Sequence, residues 1–246
     1  MVTDLRTFLA RHELDAWIDQ LLATEQRSLR LESLGRGRQV ARLGGTPRLS
    51  ADNAWPEADG GPLAFIAEID LAAVAPLIGE RILPGEGLLE FFYDAVQEAW
   101  GFDPADRPKW RVLWVGDDAT YRDFPASLPV FARYAPVALE GRLETTFVDW
   151  ESSRIEDIGM DWAARIRYSE AFSAWKTSQG PDSAIIHRLL GHPDPVQGDM
   201  MVECQLASNG IYVGSAHKPT EAETRLKPGA RDWRLLLQIT PMTTAT

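Results

Sequence analysis

The sequence predicts an α+β or mainly-β fold on an antiparallel sheet, with N-terminal helices and one late helix. Three observations predict it. Strand-like segments come in groups joined by turns such as Gly44-Gly45-Thr46-Pro47 and Gly60-Gly61-Pro62. Helical spacing is confined to the start of the chain and to residues 161–176. The two kinds of segment do not alternate as β–α–β units, the pattern of a doubly wound parallel sheet.

Residues 3–31 contain no Gly or Pro and many good helix formers, so they read as helix. Leu5, Phe8 and Leu9 share one face, whereas Leu14, Trp17, Ile18, Leu21 and Leu22 share another. At about 100° per residue these faces point apart, so two helical pieces are expected with a break around Arg11 to Glu13. The basic residues Arg27, Arg30, Arg36, Arg38 and Arg42 follow and read as a solvated rim, the usual fate of a charge run, with a phosphate or carboxylate site as the alternative.

Residues 44–62 are dense in Gly and Pro and read as turns. Leu63 to Asp70 reads as a strand with Leu63, Phe65, Ala67 and Ile69 on one face, and Leu71 to Ile78 as a short helical turn. A second strand spans Gly87 to Asp94. Lys109 to Gly116 alternates most cleanly, with Trp110, Val112 and Trp114 opposite Arg111, Leu113 and Val115. Val137 to Trp150 reads as one long strand or as a hairpin pinned at Glu140-Gly141. Asp161 to Lys176 returns to helical spacing, with Gly180-Pro181 as its stop signal. Short apolar segments follow at Met200 to Leu206, Ile211 to Val213 and Trp233 to Ile239.

Composition excludes several function classes. The 246 residues hold 36 acidic and 25 Lys or Arg residues, a formal net charge of -11. Nucleic acid and anionic membrane are therefore not expected partners, since both reward a positive surface. No stretch approaches the ~18 apolar residues of a membrane span, and the start Met1-Val2-Thr3-Asp4 lacks a signal-peptide pattern. A soluble, cytoplasmic protein is expected. The single cysteine, Cys204, excludes an internal disulfide and reads as a small buried hydrophobe.

No phosphate loop, dinucleotide fingerprint, nucleophile elbow or His-Glu-x-x-His motif occurs, so no cofactor is expected. His187 and His192 lie five apart near Asp194 and Asp199, a spacing that matches no standard metal pattern; no metal is expected. Glu68 and Asp70 sit two apart on a strand, hence on one face. They form an acid–base pair if one carboxyl is raised in pKa, and otherwise a solvated face or a strand-end cap. Asp117-Asp118 reads as a turn. Trp55, in a Gly/Pro/Asp-rich loop, is either an exposed anchor for a ligand or partner or a pin holding the loop to the core. The candidate binding residues are therefore Trp55, Glu68, Asp70, His192 and Asp194. The leading reading is a β-rich binding module for an unknown protein or small molecule, with a basic partner favoured by charge. The alternative is an enzyme whose acid–base site, of unknown reaction, assembles in space from Glu68, Asp70, His192 or Asp194.

Several stretches together resemble one family. They are Leu43 to Pro47, Trp55-Pro56, Leu63 to Leu71, Leu83 to Phe92, Leu189 to Gln197 and Trp233 to Ile239. In their order and spacing the chain resembles the YwqG-like family of bacterial proteins, a domain of unknown function, from about Arg38 to Ile239. The resemblance implies a mainly-β, roll-like domain over residues 37–246, with residues 1–36 as a helical extension packed on it. It implies no reaction, cofactor or catalytic residue. Some relatives lie in toxin-associated gene neighbourhoods, so an immunity-like role is one version of the binding module. Two departures stand out. Position 68 is Glu where the family usually has Gln. Members also usually continue past the Leu-Leu-Gln-Ile strand, so the tail Thr240 to Thr246 reads as a truncated C-terminus, with self-association through the uncovered edge strand as its expected consequence.

Overall fold

A computed structural model describes residues 4–79, 82–179, 186–215 and 218–240. The Gly180-Pro181 stop signal and the tail beyond Thr240 lie outside the described residues. Helices are α1 (Leu5–Arg11), α2 (Ile18–Leu22), α3 (Leu71–Ile78), α4 (Ser153–Ile158), α5 (Trp162–Ser178), α6 (Met200–Ser208) and α7 (Glu221–Leu226). Strands are β1 (Gln26–Ser33), β2 (Gln39–Leu43), β3 (Arg48–Leu49), β4 (Glu57–Ala58), β5 (Gly61–Pro62), β6 (Ala64–Asp70), β7 (Leu88–Tyr93), β8 (Trp110–Val115), β9 (Thr120–Tyr121), β10 (Val137–Thr146), β11 (Arg188–Leu189) and β12 (Leu237–Gln238).

The chain divides into two compact units. The first comprises residues 1–30, 144–205 and 220–246; the second comprises 31–143 and 206–219. In the first the strand order is β12-β11-β1-β10, and in the second β1-β10-β2-β6-β7-β8. β1 and β10 contribute residues to each. The described strand registers are antiparallel, and the α+β class holds.

The first unit is built around helices. Asp4 caps α1 by accepting from the Arg6 amide, and α1 ends at Arg11, followed by Glu13 at φ 56°. The break expected at Arg11 to Glu13 is there. Asp161 caps α5 through the Ala164 amide at 2.7 Å. Ala164, Tyr168, Ala171 and Phe172 then fall on one face of α5 and are buried with Leu5, Leu9, Leu14, Ile18 and Leu21. The Tyr168 hydroxyl, fully buried, donates to the Val148 carbonyl at 2.6 Å.

One sequence expectation fails here. Residues 26–31 are not helix but the start of strand β1. Their propensities are helical, but Leu29 and Leu31 alternate with Ser28 and Arg30, and all four side chains are buried. A strand buried on both faces overrides the local preference, because tertiary burial outweighs the few tenths of a kcal/mol that propensity supplies. Arg30 is buried and Arg42 half-buried, and both are paired rather than part of a solvated rim.

In the second unit, β6 carries a bulge between Phe65 and Ala67: Phe65 faces Phe92 across the ladder, whereas Ala67 faces Phe91. The extra residue shifts the alternation. Leu63 and Phe65 therefore join Leu49, Leu88, Phe92 and Val115 in one cluster, rather than continuing the face of Ala67 and Ile69. Asp70 caps α3 by accepting from the Ala73 amide at 3.0 Å, and Gly79 ends the helix at φ 70°. β10 is one strand with an irregularity at Leu139/Glu140, not a hairpin. Met200 to Leu206 is helical, within α6, and Asp117-Asp118 forms a turn.

Candidate functional site

The densest polar chemistry of the second unit lies where β2, β6 and β7 run side by side. Arg42 stands opposite Glu68, and Glu68 opposite Glu90. Cross-strand partners share a face, so three ionisable side chains meet there. Glu68 is 4% exposed and Glu90 0%. From β3, Arg48 grips Glu68 in two-pronged fashion, Nη2 to Oε1 at 2.7 Å and Nε to Oε2 at 2.9 Å. Arg42 Nη2 donates to Glu68 Oε2 at 3.1 Å and to the Thr46 carbonyl at 2.9 Å; its Nη1 donates to the Gly44 carbonyl. The Arg42 guanidinium lies over the Phe65 ring at 5.4 Å and the Tyr121 ring at 5.8 Å, and Arg48 lies 5.8 Å from the same tyrosine ring.

The turn after β2 makes this possible. Gly44 has φ 59°, and a Cβ there would sit 2.5 Å from the Ala135 carbonyl oxygen. Only glycine lets the backbone curl close enough to present its carbonyl to Arg42.

The two carboxyl groups are unequal. Glu68 is desolvated, but its two arginines hold it below the usual carboxylate range. Glu90 is pushed up to about 9 by burial and by the charge of Glu68. Its Oε1 accepts from the Arg48 amide at 3.1 Å, and no donor reaches its buried Oε2. Glu68 is the neighbouring acceptor. A protonated Glu90 that donates to Glu68 satisfies both groups, since a buried polar atom without a partner is costly. The cluster is thus two arginines, one carboxylate and one neutral acid. The lone pairs of Glu68 are spoken for, which makes it an internal strut.

Asp70, which shares the Glu68 face, is spent as the α3 cap and lies 3.9 Å from Arg38. Trp55 is half-buried. It donates to the Leu63 carbonyl at 2.9 Å and packs edge-on against Phe92 and Phe124. That geometry is the pin rather than the anchor.

In the first unit, His192 is buried and its Nε2 pairs with the Thr24 carbonyl oxygen at 2.7 Å, so that nitrogen carries the proton. Burial lowers its pKa to about 4, keeping the ring neutral. Its amide donates to Thr146 Oγ1 and its carbonyl accepts from Arg188. Asp194 pairs with Lys176 at 2.7 Å. His187 accepts at Nδ1 from the Thr240 amide. A cleft beside His192 is lined by Asp149, Ser152, Arg154, Asp199 and Trp233, but its cavity volume is about 30 Å³, room for a water or two. Among the described residues no group of acids, His and Cys is placed to hold a metal ion. Cys204 is half-buried, with its thiol pushed up by burial.

The second unit also carries exposed tryptophans. Trp100 is 77% exposed, Trp110 50% and Trp114 55%. The alternation of Trp110, Val112 and Trp114 was legible as a strand. That two of its tryptophans face solvent was not, because amphipathic spacing ordinarily marks the buried side.

These features define an α+β protein with an antiparallel sheet, a buried acid–arginine cluster and, in the second unit, three exposed tryptophans. The chain belongs to the DUF1963 family, a domain of unknown function, whose model matches residues 41–245. No curated protein matches the sequence. Among the described residues no helix is long and apolar enough to cross a membrane.

Proposed function

We propose that this chain is a YwqG-like member of its family and a cytoplasmic module that binds a basic protein partner. The observation that carries the reading is the set of three exposed tryptophans, Trp100, Trp110 and Trp114, in the second unit. Exposed large aromatic side chains are costly to leave in water and are enriched at the hot spots of interfaces. The surrounding charge favours a cationic partner. Besides the buried Glu90 and Asp106, residues 86–118 contain six acidic and three basic residues, and the chain as a whole carries a net charge of -11. An immunity-like role is one form this binding would take.

The acid–base alternative has less support. Glu68 is held by two arginines, Asp70 caps a helix, Asp194 is paired with Lys176, and the His192 ring is hydrogen-bonded to the backbone. Affinity capture from a native lysate with the wild-type chain and with a Trp100→Ala/Trp110→Ala variant tests the reading. Basic proteins retained by the wild type and lost by the variant support it. An identical set from both refutes it.

A further inference from the structure

The cleft beside His192 lies wholly in the first unit, and its lining holds donors that the fold leaves uncommitted. Arg154 is placed there by two contacts. Its Nη2 donates to the Arg231 carbonyl at 3.3 Å, and its charge reaches the His192 ring, whose pKa it helps to lower. Arg154, Arg231 and His192 all line the cleft, so the guanidinium stands at it rather than turning away. That bond engages one N–H of a group that carries five. Ser152 Oγ accepts the Arg154 amide as the N-cap of α4, which leaves its hydroxyl hydrogen free to donate. Arg234 lines the same cleft, and among the described residues no ion pair or hydrogen bond engages its exposed side chain.

The acids of the lining are already engaged. Asp199 Oδ2 accepts from the Ser153 amide at 2.6 Å, and its Oδ1 from the Met201 and Val202 amides at 2.9 and 3.3 Å. Asp149 Oδ1 accepts from the Glu151 amide at 3.0 Å, and burial pushes its carboxyl up. Arg231 is paired with Asp157 at 2.7 Å. Arg154 and Arg234 therefore remain as cations without an ion-pair partner among the described residues, in a chain whose net charge is -11. Such a pair at a cleft favours an anion.

Size and shape choose the anion. A cavity volume of about 30 Å³ holds a water or two, the room that the two oxygens of a carboxylate take. A phosphate, with four oxygens, needs about twice as much. A guanidinium fork also meets a carboxylate through two parallel bonds. Val148, Pro193, Met201 and Trp233 line the cleft beside these donors and give an apolar wall to whatever carries the carboxylate.

We infer that this cleft binds the carboxylate of a monocarboxylic acid with an apolar body. Arg154 is the anchoring side chain, with Arg234 and Ser152 as further donors. The site does not rest on the basic-partner reading, which concerns the second unit. Two sources carry this head group: a small free acid and the C-terminus of a peptide.

The test titrates the full-length chain with benzoate and with acetyl-Gly-Ala-Leu, and separately with benzamide and the C-terminal amide of that peptide. Binding is followed by NMR at the amides of residues 152–154, 192 and 231–234. The inference expects both acids to shift these resonances and each neutral amide to bind at least about tenfold more weakly, as expected for losing a charge-assisted hydrogen bond. Tighter binding of the peptide acid identifies a chain terminus as the source, and tighter binding of benzoate a free acid. Arg154→Gln should weaken either acid at least about tenfold, with unchanged resonances away from the cleft showing that the variant is folded. Should it not fold, Arg234→Gln, whose side chain holds nothing in place, must weaken binding in the same direction. No shift with either acid, equal binding of acids and amides, undiminished binding by the folded variant, or tighter binding of inorganic phosphate than of both acids overturns the inference.

Discussion

Replacing Glu90 with Gln should stabilise the protein, and increasingly so as pH rises. In the folded chain Glu90 keeps its proton up to about 9, from an ordinary value of 4.5. The unfolded chain has released that proton at neutral pH. Because the folded pKa is raised, the stabilising contribution is complete below the unfolded value and is lost as pH climbs toward the folded one. A pH of 7 lies 2.5 units above that ordinary value, and at ~1.36 kcal/mol per unit holding the proton there costs about 3 kcal/mol. A glutamine incurs none of this. Its amide can donate to Glu68 and its carbonyl can accept from the Arg48 amide, the two contacts that Glu90 makes. Urea unfolding followed by tryptophan fluorescence at pH 7.0, 7.75 and 8.5 measures the difference. This window also leaves His192 silent, since its own titration lies lower. Wild-type stability should fall across the window by about 2 kcal/mol more than that of Glu90→Gln. Parallel curves, or a variant less stable than wild type at pH 8.5, would refute the neutral-acid assignment.

Three further outcomes are expected. Glu68→Ala should destabilise by about 3–5 kcal/mol, as when one member of a buried ion pair is removed; Glu68→Gln should cost less and reduce the pH dependence above without abolishing it, since burial is the larger cause of the raised Glu90 pKa, and both are read by the same urea series. His192→Gln should flatten acid sensitivity: the folded imidazole titrates near 4 while the unfolded one titrates at 6.5, so wild-type stability is present above 6.5 and lost as pH falls toward 4, and a difference curve between the two proteins over that window checks it. Tyr168→Phe should cost about 1–3 kcal/mol at neutral pH by leaving the buried Val148 carbonyl without its donor; a loss under a few tenths in urea unfolding would contradict the bond.

Much of the architecture was legible because it depends on neighbours in sequence. Gly44, in a segment read as turns, sits where φ is positive, Asp70 at the strand end caps α3, and the alternation of 110–115 marks β8. The candidate site was legible only in part. Glu68 was singled out as half of a possible acid–base pair, but with Asp70, its neighbour on the same strand. Its actual companion is Glu90, 22 positions away, and nothing in the sequence around Glu90 distinguished it from other strand-borne acids.

The sequence by itself determined the α+β class, the strands at 64–70, 88–93 and 110–115, the acidic balance and the absence of the standard phosphate and dinucleotide motifs. These follow from periodicity, turn chemistry and charge, which act over a few residues. The tertiary structure decided the rest. Burial on both faces turned helix-prone residues 26–31 into strand. One bulge at Phe65/Ala67 shifted the strand's two faces, and cross-strand register put Glu90 against Glu68. Which carboxyl keeps a proton, and which tryptophans stay in water, depend on desolvation and on distant partners, and these exist only once the chain has folded.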